Sequence, residues 1–199
     1  PGFVPAGATE GGIAGTSVGG GVCQVSTSLF RATLLAGLPI EEWWPHTYRS
    51  VYYENGDWEP GYDASIAQPE DTALLGTDFQ FANPTDDWLL IRAAIVAGSV
   101  LEVEIHGAET GYVVDVSEPV LNPGDPAGDA VEEIDPSLPA GSVIAVQPAR
   151  DGLTVTVARV VRDATGVEIG ADRFVSEYQP QGPLFRVSPD QAGQSFPAG

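Results

Sequence analysis

The chain has 199 residues, 43% of them hydrophobic, which is enough to bury a core in one large or two small domains. Its 28 acidic residues stand against 8 basic ones, all arginine, for a formal charge of −20. A field of that sign repels nucleic acid and anionic lipid. Because the acids spread over both halves, they read as a solvated surface ahead of any dedicated cation site. No apolar run is long enough to span a bilayer, and no signal-peptide pattern is visible. With Pro1 at its start and no methionine anywhere, the chain is expected to be a processed or excised piece of a longer precursor. Cys23 is the only cysteine, so an internal disulfide and a cysteine-pair metal site are excluded. The sequence calls for no metal or cofactor.

Residues 1–18 are rich in glycine and small side chains, with Phe3, Val4, Ile13 and Val18 as the only large apolar anchors, and read as an arm or loop. A triple glycine, Gly19 to Gly21, then leads into a helix from Val22 to Ala36. Val22, Val25, Leu29, Ala32 and Ala36 recur at helical spacing, and Gly37 with Pro39 supplies a stop. Cys23, Ser26, Thr27 and Phe30 share the adjoining face, with the thiol looking out of the first turn. Unpaired amides and the positive end of the macrodipole at a helix start favour a thiolate there.

The segment from Glu41 to Ile66 holds three of the four tryptophans and four of the six tyrosines. Trp43, Trp44, Tyr48, Tyr52 and Tyr53 are candidates to line a groove for sugar or peptide; the plainer alternative is that they fill a β-rich core. A β-meander follows: Phe79 and Phe81, a turn at Asn83 to Asp86, then Leu89, Ile91, Ala93 and Ile95. After a turn at Ala97 to Ser99 come Leu101, Val103 and Ile105, facing inward with Glu102 and Glu104 outward. It closes a first domain near Gly107. Between about Glu118 and Gly141, proline, glycine and acids suggest a linker or crossing loop without calcium-loop spacing. A thin, elongated β unit is then predicted from Val143–Val146, Leu153–Val161, a turn at Asp163 to Gly166, Val167–Tyr178 and Leu184–Val187, with residues 189–199 as a tail. The fold class is α+β, mainly β, with one helix on an antiparallel meander followed by an extended β module.

Four stretches in order, GGGVCQVSTSLFRATLLAGL, PHTYRSVYY, GYDASIA and FQFANPTDDWLLIRAAIVAGSVLEVEIHG, resemble the VanW-like domain of bacterial envelope proteins, some linked with glycopeptide-resistance clusters. The resemblance runs over residues 19–107, with a longer ENGDWEPGYDA segment than the family's usual turn. Residues near 112–188 resemble, more loosely, a G5 domain, an extended β module proposed to bind N-acetylglucosamine-containing polymers. The stretches are DPSLPAG, VQPARDGLTVTVARVV, DATGVEI and FVSEYQP. Gly141, Gly152 and Gly166 fit that pattern, and Ala149 and Ser188 depart from it. The resemblance implies an extracellular or cell-envelope location and cell-wall glycan or peptide as partner.

Chemically, the residues permit a Cys–His site. His46, in the PHTY block, is the candidate base or imidazolium for Cys23, Asp63 the residue to orient it, and the amides of Gly20, Gly21 and Val22 an oxyanion loop. The reaction would be acyl transfer or hydrolysis on peptidoglycan stem peptides. Plainer alternatives stand beside each: Cys23 as an inert core thiol, His46 bonding backbone in a turn, Asp63 closing a turn, and Gln24, Ser26 and Thr27 satisfying amides at a helix start. His106, ending a strand, reads as structural. Two other function classes remain open, a self-assembling scaffold that places its arm on a neighbour's sheet edge, and a non-catalytic wall-binding module.

Overall fold

A computed structural model of the protein describes residues 2, 4–10, 13–67 and 76–194. Phe3 and residues 195–199 of the expected tail lie outside these. The fold is mainly β with one helix. The N-terminal stretch is a hairpin rather than a loop: β1 (Pro5–Glu10) pairs antiparallel with β2 (Ile13–Val18), Pro5 opposite Val18. Small side chains suffice because the ladder is held by backbone hydrogen bonds. The glycine loop folds back on it so closely that a Cβ on Gly20 would stand 2.3 Å from the Ala6 carbonyl oxygen. Only glycine passes there.

Helix α1 (Val22–Leu35) follows, ended by Gly37 at φ 71°. Its buried face is not the aliphatic stripe expected from the sequence. Ser26, Thr27, Phe30, Thr33 and Leu34 are buried, whereas Val25 and Leu35 are exposed. The hydroxyls go inward because the residues they face offer backbone acceptors. Ser26 and Thr27 donate to the Ala64 carbonyl at 2.5 and 3.2 Å, and neither caps the helix start.

Strand β3 (Ile40–Glu42) pairs with β4 (Gln80–Phe81), and β5 (Leu90–Val96) with β6 (Val100–His106), both antiparallel. The expected meander is therefore two separate ladders, with β6 lying against α1. Leu101, Val103 and Ile105 are half-buried on the side facing the helix, while Ile91 and Ile95 of β5 remain exposed.

The stretch expected as a linker, about residues 118–141, contributes two strands to the C-terminal sheets, beside the one that precedes it. Strands β7 (Val113–Val116) and β8 (Val120–Pro123) both pair with β11 (Leu153–Arg162), and β9 (Val131–Ile134) runs parallel to β13 (Leu184–Val187). Between them, β10 (Val143–Gln147) pairs with the other edge of β13, and β12 (Glu168–Tyr178) with β11. Proline and glycine in this stretch fall at turns and strand ends, where they do not interrupt pairing.

Residues on both sides of position 107 share one core. Phe30 and Leu34 of α1 and Ala64 pack against Val155, Val157, Phe174 and Tyr178 of the β11–β12 hairpin. Phe30 has its ring centroid 5.4 Å from Phe174 and 5.5 Å from Trp43. Along β11 the period of two turns Val155, Val157, Arg159 and Val161 toward this core, all buried. The arginine in that row is explained by the helix end above it. Its guanidinium bonds Asp172 at 2.6 and 2.8 Å and donates to the carbonyls of Leu34 and Thr33 at 3.2 and 3.4 Å. These carbonyls also accept from the Leu38 and Gly37 amides, both at 3.3 Å, so the arginine adds a cation to a capped helix end, at the negative end of the dipole. Arg159→Ala leaves Asp172 without its partner and opens a void, so it is expected to cost about 3 kcal/mol of stability, the low end of the range for breaking a buried pair because Asp172 is partly exposed. Urea unfolding checks this; a loss below 1 kcal/mol would mean that the pair behaves as a surface one.

Candidate active site

Cys23 sits in the first turn of α1, after a loop that only glycine can form: Gly19 and Gly21 both have φ of 90°. Facing it is the segment 61–66, which is strapped down residue by residue. Tyr178 Oη accepts from the Gly61 amide at 3.0 Å, and Arg31 Nε donates to the Tyr62 carbonyl at 2.9 Å. Trp43 Nε1 donates to the Asp63 carbonyl at 2.9 Å, and the Ser65 amide to the Trp44 carbonyl at 2.7 Å. Cys23 Sγ reaches the Ile66 carbonyl at 3.5 Å. Gly61, at φ 95°, lets this strap run against β11, since a Cβ there would come within 2.7 Å of Val155 Cγ1.

The strap delivers the Asp63 carboxylate, 4% exposed, to His46. Oδ2 accepts from the His46 amide at 2.8 Å and pairs with Nδ1 at 2.6 Å, and Oδ1 accepts from the Tyr178 hydroxyl. With Nδ1 committed to the carboxylate, Nε2 is the ring nitrogen left free, and the imidazole lies near enough to the Cys23 thiol for each to shift the other's pKa. Tyr53, in a 3-10 turn spanning Val51–Tyr53, stacks on the imidazole with centroids 4.7 Å apart and planes at 24°. The loop that carries His46 is anchored by the Gln179 amide donating to the Thr47 carbonyl at 2.8 Å, and by Arg150 donating to the Arg49 carbonyl at 2.8 Å.

Electrostatics follow from this geometry. The His46 interaction is the largest influence on the Cys23 thiol; it outweighs burial, and with a backbone hydrogen bond at Ile66 and the charge of His46 it holds the pKa below that of an ordinary thiol. Burial would drive the imidazolium toward neutrality. Its bonds to Asp63 and Cys23, and their charges, reverse that and lift the His46 pKa to about 9. Asp63 is pushed up by burial and more than brought back by His46 and Tyr178, ending below its usual value. The thiol, its pKa held below the ordinary range, thus stands beside an imidazolium that stays charged through neutral pH and is oriented by a buried carboxylate.

The structure thus brings Cys23, His46 and Asp63 together. The oxyanion loop is different from the expectation. The Gly20 amide donates to the Ser17 carbonyl at 3.2 Å and the Val22 amide to the Gly19 carbonyl at 3.1 Å, so both are consumed by the turn. Among the described residues, the amides of Gly21 and Cys23 itself have no acceptor. Of the aromatic candidates, Trp43 belongs to the core, stacked on Phe30 and edge-on to Phe174. Tyr53 backs the imidazole, Tyr52 is exposed and edge-on to Tyr53, Tyr48 is half-buried, and Trp44 is exposed with Nε1 on Glu42. His106 lies away from the site, paired with Glu104 at 3.1 Å. A surface depression of about 440 Å³ lined by Phe81, Asp86, Asp87 and Trp88 includes none of the site residues. Among the described residues, no three of His, Cys, Asp and Glu gather to hold a metal, and no helix is long and apolar enough to cross a membrane.

Two residues were missed by sequence reasoning. Arg31 lies eight positions after Cys23 on the same helical face, a spacing that the sequence does display. It donates to the Tyr62 and Tyr53 carbonyls and stacks 4.4 Å over Trp58, while burial lowers its pKa to about 10. Tyr178, 115 residues from Asp63, carries no local signal.

Comparison with known proteins places this arrangement. Over 84 residues the chain is 43% identical to the uncharacterized protein YoaR of Bacillus subtilis (strain 168), covering 42% of this chain and 24% of YoaR. It therefore spans about a quarter of that relative's length. Among solved structures, an IgA1 protease G5 domain is 16% identical, covering 41% of this chain and 93% of its own, with a TM-score of 0.23. The G5 domain of HP0197 is 17% identical, covering 38% and 96%, with a TM-score of 0.18. Likenesses that remote say nothing of a ligand. The family model described as VanW like protein matches residues 1–106, more than half of the sequence and all of the thiol, imidazole and carboxylate positions; the chain belongs to that family.

Proposed function

We propose that the protein acts at the bacterial cell envelope as a thiol-dependent enzyme, transferring or hydrolysing acyl groups on peptidoglycan stem peptides. The observation that carries this is the single buried carboxylate oxygen of Asp63 accepting from both the amide and Nδ1 of His46, which orients the imidazole toward Cys23. In this reading the Cys23 thiolate attacks the carbonyl carbon of an amide or ester, forming a C–S bond. The amides of Gly21 and Cys23 receive the developing oxyanion, and His46 Nε2 gives its proton to the leaving amine or alcohol. Water or an acceptor amine then releases the acyl group from sulfur, its proton passing back to His46. The envelope setting and the wall substrate are supported by the VanW-like family to which the chain belongs, whose resemblance implies that context. Cell-wall glycan as a second partner is part of the same reading.

The thiolate window follows from the two pKa shifts. Cys23 loses its proton below the ordinary thiol range, and His46 keeps its own up to about 9, so the ion pair exists between the lowered thiol pKa and about pH 9. At pH 6, iodoacetamide is expected to alkylate folded protein faster than an unperturbed thiol, by about tenfold for each unit that the thiol pKa is lowered. In His46→Ala the largest lowering influence is gone, burial outweighs what remains at Ile66 and Ser65, and reaction is expected to shift toward alkaline pH. Identical pH profiles for the two proteins would remove the imidazole from the account.

Turnover is the direct test. Cys23→Ala is expected to abolish release of product from purified stem-peptide fragments, followed by mass spectrometry, with an unchanged circular dichroism spectrum. Product formation continuing at the unsubstituted rate would exclude Cys23 as the nucleophile.

A further inference from the structure

Every side chain of the proposed chemistry lies before residue 107, yet the carboxylate at its end is held from beyond it. Tyr178, the last residue of β12, is 5% exposed and its ring is part of the shared core. The Gly61 amide donates to the phenolic oxygen at 3.0 Å, which occupies a lone pair and leaves the O–H to point at Asp63 Oδ1. Meanwhile both bonds from His46 fall on Oδ2. A carboxylate anchored on one oxygen alone can turn about its Cβ–Cγ bond and carry the other oxygen under the imidazole; with the phenol on Oδ1 it cannot.

We propose that Tyr178 is a positioning residue for Asp63, so that the thiol, imidazole and carboxylate form a working set only with the C-terminal β11–β12 hairpin docked on α1. The proposal rests on the reading of Cys23 as nucleophile and gives the C-terminal unit a part in the chemistry besides any wall binding. A second tie acts in the same sense: the Gln179 amide, next along the chain, holds the Thr47 carbonyl in the loop that carries His46. The charged and titratable groups facing Asp63 are His46 from its own loop, Tyr178 from β12, Arg31 from α1 and Tyr53 from the 3-10 turn. Only Tyr178 among these donates to Oδ1. Burial and the neighbouring carboxylate both raise the phenol's pKa, so it remains a donor throughout the range in which the thiolate exists.

The test is the pH profile of Cys23 alkylation in the full chain. Tyr178→Phe keeps the ring in the core and removes only the hydroxyl. Its acid limb is expected to move up by about one pH unit, which is about a tenfold loss of rate at pH 6. Replacing Tyr178 by 3-fluorotyrosine, which preserves shape and strengthens the donor, is expected to move the limb the other way and covers the case in which the phenylalanine variant fails to fold. A packing role alone predicts lower stability with an unmoved limb, so profiles superimposable on the unsubstituted protein in either variant overturn the proposal. If unsubstituted Cys23 itself reacts only at alkaline pH, the nucleophile reading fails and this one with it. A normal profile there with an unmoved limb in the variants sinks the Tyr178 role alone.

Discussion

The buried carboxylate of Asp63 constrains the rest of the structure. An ionised group withdrawn from water is tolerated only where donors replace its hydration, and Asp63 takes three, from the His46 amide, His46 Nδ1 and Tyr178 Oη. Each donor belongs to a different use of the chain. The amide fixes the backbone of one loop, the imidazole fixes a side chain, and the phenol fixes the end of a strand 115 residues away. Satisfying this one group therefore ties the strap to the His46 loop and to the C-terminal hairpin. The strap around it, from Gly61 to Ile66, is held by side chains from α1, β12 and the His46 loop, which keeps it from moving independently of the site.

Much of this architecture was legible in the sequence because it is written locally. The glycine loop, the helix, the β5–β6 hairpin and the strands of the second unit all follow from periodicity and turn residues within a dozen positions. What failed did so for identifiable reasons. Hydropathy placed Val25 on the buried side of α1, but Ser26 and Thr27 are buried in its stead. A helix face that meets a strap of backbone carbonyls is better served by hydroxyls than by methyls, and no scale of side-chain apolarity contains that information. The stretch read as a linker forms strands β8 and β9 because the partners that give them hydrogen bonds lie tens of residues downstream. Composition reports on what a segment can do alone, and these segments do not act alone.

Within the site, residue type pointed to Cys23, His46 and Asp63, which the fold brings together, whereas two of the three loop amides singled out with them are engaged elsewhere. A run of glycines offers several amides, and the turn that those glycines make uses some of them. The Gly20 and Val22 amides close the loop, and what remains is the pair nearest the sulfur. Arg159 illustrates the same limit at the other end of the helix. In sequence it is one charge in an alternating strand, with no sign of its partners. In the fold it reinforces the C-terminal end of α1, donating to carbonyls that the Gly37 and Leu38 amides also reach. With Tyr178 near the strap and Arg159 at the C-terminus, the second unit grips both the start and the end of the elements that present the thiol.

That double grip bears on whether Cys23, His46 and Asp63 are a reactive set or a structural one. For stability alone, a buried charged cluster is a poor choice: apolar side chains of the same volume serve as well or better, with no desolvation to offset. A structural role would also leave the sulfur enclosed. Instead, Cys23 is only half-buried, in the first turn of a helix whose Gly21 and Cys23 amides have no acceptor among the described residues, beside an imidazolium whose pKa of about 9 keeps it charged. The buried end of the relay is saturated with hydrogen bonds and the exposed end is left unsatisfied. Such a gradient, from a fully bonded carboxylate to a partly exposed thiol of lowered pKa with open donors next to it, supports the proposed nucleophilic reading over a purely structural one.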